Sequence, residues 1–374
     1  MPLALFTLLM WAGVADPLPP WTPGTLDIHQ IATGRGNSAL VIFPDGTTLL
    51  VDAGAAGDGI PETDPHPNAS RRPGEWIARY LQRHLPAGAK ELDYALITHF
   101  HVDHDGGIAD VDRAVPIKLL IDRGWPDYSY PGPVNDAPYR KFIEARKRVE
   151  KFKVGSSTQI RALHEPRRDF EVRNIIANGE VWTGTGETTK NLFPPVKSLS
   201  AADLPNENMC SLGIRLRYGK FSYFTSGDLP GTPDPGFPAW HGMEAAIAPV
   251  VGAVDVHVVN QHGSMAEESD EYLSALRSTV LIVPSWAPSH PAPDVLKRIM
   301  NSRYPPATRY VFATEMREAA KIVIGQRATR LAGPAGHVVA RVEPGGERYT
   351  VYVLDNRDER DLILSATGPL ASGR

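Results

Sequence analysis

Apolar positions along this chain come in short runs cut by turn residues, interleaved with stretches of helical spacing. From Gly36 to Gly54 the text GNSALVIFPDGTTLLVDAG holds two β-rich runs around Pro44-Asp45-Gly46, which predicts a hairpin ending at Asp52. Glu75 to Leu85 spaces Trp76, Ile77, Tyr80, Leu81 and His84 as a helix does. Leu92 to Thr98 reads as a short buried strand that delivers the chain into His99-Phe100-His101-Val102-Asp103-His104-Asp105-Gly106-Gly107. Ile117 to Ile121 is a further strand, and Asp122 to Asp136 a long loop. Ala137 to Lys151 is expected to be one charged helix.

Beyond Gly155 the pattern breaks. Strand-like pieces at Gln159–Leu163 and Arg173–Ile176 suggest an insertion across one end of the core. A second hairpin, Ser211–Arg217 with Phe221–Thr225, runs into Gly227-Asp228-Leu229. Val254–Asn260 is a strand that stops at His262-Gly263-Ser264. Ser269–Arg277 and Ala292–Met300 are expected helices around a strand at Thr279–Pro284. Val338–Val342 and Tyr349–Leu354 close as a hairpin. Alternating strands and helices place the chain in the α/β class. The expected organisation is one domain over 22–357, with the insertion at about 122–205 and a C-terminal tail over 358–374.

Composition changes this picture little, except at the N-terminus. Lys and Arg number 39 against 43 Asp and Glu, so a basic surplus that would grip phosphate backbones is missing. A nucleic-acid partner is therefore not indicated, and a small-molecule or nucleotide-type substrate is the expectation. The single cysteine, Cys210, excludes a disulfide within the chain and cysteine-rich zinc sites. Leu3 to Ala15 is nearly all apolar and ends in small residues. Residues 1–15 thus read as a secretory signal, implying export to the periplasm or medium, although the usual basic start is lacking. The alternative is a cytoplasmic protein with an apolar first strand. The run is short for a bilayer, so no stable membrane insertion is expected.

The chemistry concentrates after the strand at Leu92. His99, His101, Asp103 and His104 combine imidazoles with a carboxylate at metal-ligand spacing, which suits zinc and other borderline metals. The run Thr98-His99-x-His101-x-Asp103-His104-x-Gly106-Gly107 resembles the signature of the metallo-β-lactamase superfamily. Asp52 before Ala-Gly, Gly227-Asp228, and His262 after a strand stand in the same order as its further motifs. Asn206-Glu207-Asn208, Ser211, His262-Gly263-Ser264 and His290-Pro291-Ala292-Pro293 also resemble the hydrolase domain of ComEC-like competence proteins, over roughly Leu26 to Thr314.

That resemblance implies an αββα four-layer sandwich and a site for one or two ions, zinc or alternatively manganese. One ion would take His99 and His101, the other Asp103, His104 and His262, with Asp228 between them. Many relatives add a third histidine to the first ion. None is present here, so Asn208 or Cys210 is expected beside a weaker or empty first site. Asp52 is expected to orient a ligand from behind. The implied chemistry is hydrolysis by metal-bound hydroxide, with Asp103 or Asp228 orienting the water and His290 donating to the substrate. Phosphodiesters are the expected substrate. A lactone, lactam or carboxylic ester is the alternative, followed by a metal-retaining binding protein and by iron redox chemistry. His290 could instead cap the following helix. Arg123, Trp125, Tyr128 and Tyr130 are candidates for pocket wall or lid packing. His29, His66, His84, His164, His241, His257 and His337 fall in no ligand pattern.

Overall fold

A computed structural model describes residues 16–373 apart from 58, 60, 61, 133–135, 234, 302 and 307. The expected secretory signal, 1–15, lies outside the described residues. Among those described, no helix is long and apolar enough to cross a membrane.

Two mixed sheets face each other. The first runs, edge to edge, Ile363–Ala371, Arg348–Leu354, His337–Val342, Leu26–Gln30, Ala39–Ile42, Thr48–Val51, Leu92–Leu96, Ile117–Asp122 and Val149–Lys151. The second runs Tyr310–Ala313, Val280–Val283, Val256–Val258, Phe221–Thr225, Gly213–Tyr218, Phe170–Ala177, Glu180–Trp182 and Thr189–Asn191. Leu26, Val41, Val51 and Leu96 of one sheet share a buried cluster with Ile214, Tyr223, Val256 and Ile282 of the other. Each such side chain contributes roughly 1.5–3 kcal/mol by leaving water.

Both faces of each sheet are covered, so most strands are apolar throughout rather than alternating. Helices Pro73–His84 and Ile108–Ala114 cover the first sheet through Ile77, Leu81 and Val111. Helices Glu244–Val251, Asp270–Leu276 and Pro293–Ile299 cover the second through Ile247, Leu276 and Leu296. The result is a four-layer αββα sandwich.

Three expectations need correction. The helix expected over Ala137–Lys151 stops at Glu144, because Val149–Lys151 pairs with the open edge of Ile117–Asp122. The stretch read as an insertion contributes Phe170–Ala177, which pairs along Gly213–Tyr218 inside the second sheet, while Gln159–Leu163 forms no strand. The expected tail carries Ile363–Ala371, an edge strand whose exposure alternates because only one face meets protein.

The topology places the site. Thr48–Val51 and Leu92–Leu96 are parallel neighbours in the first sheet, as are Phe221–Thr225, Val256–Val258 and Val280–Val283 in the second. Asp52, His99, Asp228, His262 and His290 all follow the carboxyl ends of these strands, where loops of both sheets converge.

Candidate metal centre

The residues that carry ligand chemistry arrive on three tight loops. After Leu92–Leu96 the chain makes one short helical turn, Val102–Asp105, which turns Asp103 and His104 back beside His99. The turn is packed against the Gly36 loop, where Asn37 N donates to Asp103 O at 3.0 Å. A Cβ on Gly36, at φ +86°, would lie 1.7 Å from that same oxygen, so only glycine fits. Asp228 follows Gly227, whose φ is +58° and whose Cβ would press Thr98 Oγ1 at 2.7 Å. His262 is itself left-handed at φ 57°, next to Gln261 at φ 44°. Gln261 N donates to Gly227 O at 3.2 Å, which ties the Asp228 and His262 loops together.

Two groups of ligand atoms result. His99, His101 and Asp228 form one, and Asp103, His104 and His262 the other, with the atoms of each group within 4.8 Å of one another. Asp228 faces both. Its Oδ1 is 3.1 Å from His104 Nε2, while its Oδ2 is 3.8 Å from His99 Nε2 and 3.6 Å from His262 Nε2. His262 Nε2 also stands 3.2 Å from Asp103 Oδ2.

The tautomers are set from behind. His104 Nδ1 lies 2.8 Å from Asp52 Oδ2, and His262 Nδ1 lies 2.9 Å from Pro284 O. Each acceptor fixes a proton on Nδ1 and turns Nε2 toward the carboxylates, where it can hold either a proton or a metal. Both Nε2 atoms are buried without a hydrogen-bond partner. Orphaned imidazole nitrogens beside two carboxylates fit a divalent metal better than any protein partner present.

Electrostatics agree with that fit. Burial alone would disfavour charge on His104, yet Asp228, Asp52 and Asp103 together hold its pKa well above the ordinary range. Burial likewise works against an ionised Asp228, and the charges of His104 and His262 overcome it and lower its pKa. Asp103 is lowered in the same way by His104 and His262. The cluster behaves as concentrated negative charge balanced by protons that a cation would replace.

The supporting shell follows the residues expected of it, with corrections. Asp52, also left-handed at φ 58°, accepts from Thr98 N at 2.8 Å, Thr98 Oγ1 at 2.8 Å and Asn37 Nδ2 at 2.9 Å besides His104. The hairpin register pairs Ile214 with Thr225, so Ser211, not the Asn208–Cys210 stretch, stands opposite Asp228. Ser211 Oγ accepts from Asp228 N at 3.3 Å. Cys210 packs among Met209 and Phe224, and burial pushes its thiol up to about 12, so it offers no thiolate.

Arg123 does not face a substrate. It is fully buried, ion-paired with Glu207, bonded to Tyr130 O and Asn178 Oδ1, and stacked 4.5 Å from the Phe100 ring centroid. Glu207 in turn accepts from Phe100 N at 2.8 Å, gripping the loop between His99 and His101. In the sequence Glu207 shows only as part of the Asn206-Glu207-Asn208 motif, since nothing local signals a contact across 107 residues. Tyr128 is buried with its hydroxyl on Asp122, which is lid packing.

His290 does not cap the helix after it, whose N-cap is Ala292 with no side-chain cap bond. Instead its ring stacks on His262 at 5.2 Å and 21° and meets Trp286 edge-on at 5.1 Å. Burial, helped by the charge of His262, drops its pKa to about 3, so it is neutral near pH 7.

Comparison with known proteins agrees with this architecture. Residues 32–186 match the family model of the metallo-β-lactamase superfamily. The chain has the metallo-β-lactamase fold. It is also 24% identical over 302 residues to Recombination protein 2 of Haemophilus influenzae, covering 79% of this chain and 28% of that one. The chain thus spans just over a quarter of that relative's length. Among solved structures, the diiron β-hydroxylase CmlA from Streptomyces venezuelae is 15% identical, with a TM-score of 0.43 over 87% of this chain and 55% of its own. A Cronobacter sakazakii metallo-β-lactamase is 16% identical, with a TM-score of 0.35 over 65% and 78%. The matched stretch, 32–186, carries His99, His101, Asp103 and His104, while Asp228 and His262 of the two ligand groups lie beyond it.

Proposed function

We propose that the chain is a metal-dependent phosphodiesterase holding zinc or manganese, one ion at His99, His101 and Asp228 and one at Asp103, His104, His262 and Asp228. The observation that carries this reading is the position of Asp228, with its two oxygens turned toward different histidines. A shared carboxylate suits a pair of cations that together clamp the reacting oxygens of a phosphoryl group. The resemblance to ComEC-like hydrolase domains favours phosphoryl over acyl chemistry, while the coverage of Recombination protein 2 is too small to carry over its role.

Bound divalent ions would supply Lewis acidity, lowering the pKa of water towards ~7 and neutralising phosphoryl charge. The protein supplies the rest. Asp103 and Asp228 are held ionised, so either carboxylate can accept a proton from the attacking water. His290 is neutral and its Nδ1 is buried without a partner. It is therefore suited to donate a ring N–H to a phosphoryl or leaving oxygen rather than to act as an imidazolium acid.

The test is hydrolysis of bis-p-nitrophenyl phosphate, a lactone and nitrocefin, with and without chelator. Chelator-sensitive cleavage of the phosphodiester is expected. His290→Ala should keep its metal and lose about 10²–10³ in turnover. Ready cleavage of lactone or lactam with an untouched phosphodiester would refute the proposal.

A further inference from the structure

Beside the candidate metal centre lies a cavity of about 750 Å³, the size of a pocket for a small organic ligand. Its wall holds residues that adjoin those of the centre in sequence, while none of the candidate ligands lines it. Gln261 and Ser264 bracket His262, Ser289 and Pro291 bracket His290, and Pro230 follows Asp228 by two residues. The interior is largely apolar, with Leu204, Met209 and Ile324 among its lining, and no Lys or Arg among the described residues lines it.

Two further observations say what the cavity suits. Among the described residues only seven large hydrophobics are strongly exposed, and three of them, Phe237, Met265 and Val323, line this cavity at 47%, 75% and 68% exposure. Ile322, beside Val323, is a fourth. Apolar surface gathered at one mouth marks a contact site rather than random exposure. Three lining residues also hold buried polar atoms without a partner: His241 Nε2, Glu267 Oε2 and Asn208 Oδ1. His241 and Glu267 are 7% and 1% exposed, so these atoms lie beneath the wall and leave its open surface apolar. Burial, with the charge of Glu244, pushes the Glu267 carboxyl up to about 9, which makes it a neutral donor near pH 7. The loop is held in place by Arg298, which donates to Met265 O and Glu267 O at 2.9 and 2.7 Å.

We propose that this cavity is a substrate subsite for an uncharged, largely apolar group, so that the substrate is a small lipophilic phosphodiester and not a nucleic-acid strand. The inference rests on the phosphodiesterase reading for the reacting bond only. A polynucleotide would need cations along its backbone, and this wall provides none.

The test is calorimetric titration of the purified protein with 1,2-octanediol, 1,2-ethanediol and trithymidylate, beside kcat/KM for methyl and octyl p-nitrophenyl phosphodiesters. The octanediol should bind and the ethanediol should not. Met265→Glu with Val323→Glu, both on exposed positions, should weaken octanediol at least tenfold. Each buried methylene is worth about fourfold, so the octyl ester should exceed the methyl ester at least tenfold in kcat/KM, and the double variant should erase that ratio. No octanediol binding, or tighter binding of trithymidylate, overturns the subsite whatever the activity. Octanediol binding without any phosphodiester turnover overturns the phosphodiesterase reading and leaves the subsite standing.

Discussion

Replacing Asp52 by Asn probes the link between fold and metal most directly. Asp52 is fully buried and accepts four hydrogen bonds, from Thr98 N, Thr98 Oγ1, Asn37 Nδ2 and His104 Nδ1, all between 2.8 and 2.9 Å. Three of these meet Oδ2 and one meets Oδ1. Asparagine keeps the shape and has one acceptor oxygen. The best arrangement puts that oxygen at the Oδ2 position and sets an NH₂ against Thr98 N–H. One buried backbone donor is then unpaired, at a cost of about 1–3 kcal/mol in stability. The larger effect is on His104, which loses an anionic partner and with it ligand basicity. Loss of such a partner typically costs 10–100-fold in metal affinity. Competition with a graded chelator series, read by elemental analysis, should show one ion weakened by that factor and the ion at His99 and His101 changed far less. An Asp52→Asn protein that holds both ions as wild type does would show that the Asp52–His104 contact does not tune the site.

The remaining expectations concern the same region. His262→Ala should lose the ion of the Asp103 group and His99→Ala the other, with the first-group ion the weaker in wild type. Full metal in both variants by elemental analysis would sink the assignment. Arg123→Leu leaves Glu207 without its buried partner and should cost about 3 kcal/mol in urea unfolding, together with weaker metal at His99 and His101. An unchanged midpoint would mean the Phe100 loop is held by other contacts. Glu267 gives a pH signature. Its carboxyl is raised to about 9 when folded, above the ordinary 4.5, so the folded state keeps a proton that the unfolded state releases. Its contribution is fully present below about pH 4.5 and is lost as pH rises towards 9. Glu267→Gln should therefore flatten the fall in melting temperature across that window, and an unaltered slope would place the titration elsewhere.

The candidate ligand residues were legible in the sequence because they are local. His99, His101, Asp103 and His104 sit within six positions, and a strand that ends at a histidine or aspartate is readable from period and turn residues alone. The same locality revealed the hairpin before Asp52 and the buried runs that make the class α/β. What sequence could not show is what depends on pairing between distant segments. Val149–Lys151 has helical neighbours and becomes a strand only because an open sheet edge is next to it. Ile363–Ala371 reads as a tail until Arg348–Leu354 offers it a partner. A hairpin register shifted by two positions put Ser211, rather than the Asn208–Cys210 stretch, across from Asp228. Arg123 was open between pocket wall and lid packing and is consumed by Glu207, while His241 fell in no pattern and lines the cavity beside the centre. Short-range spacing thus determined which atoms can bind a metal. The tertiary structure decided which partners those atoms keep, because burial makes every unpaired polar group costly and the fold alone determines which groups meet.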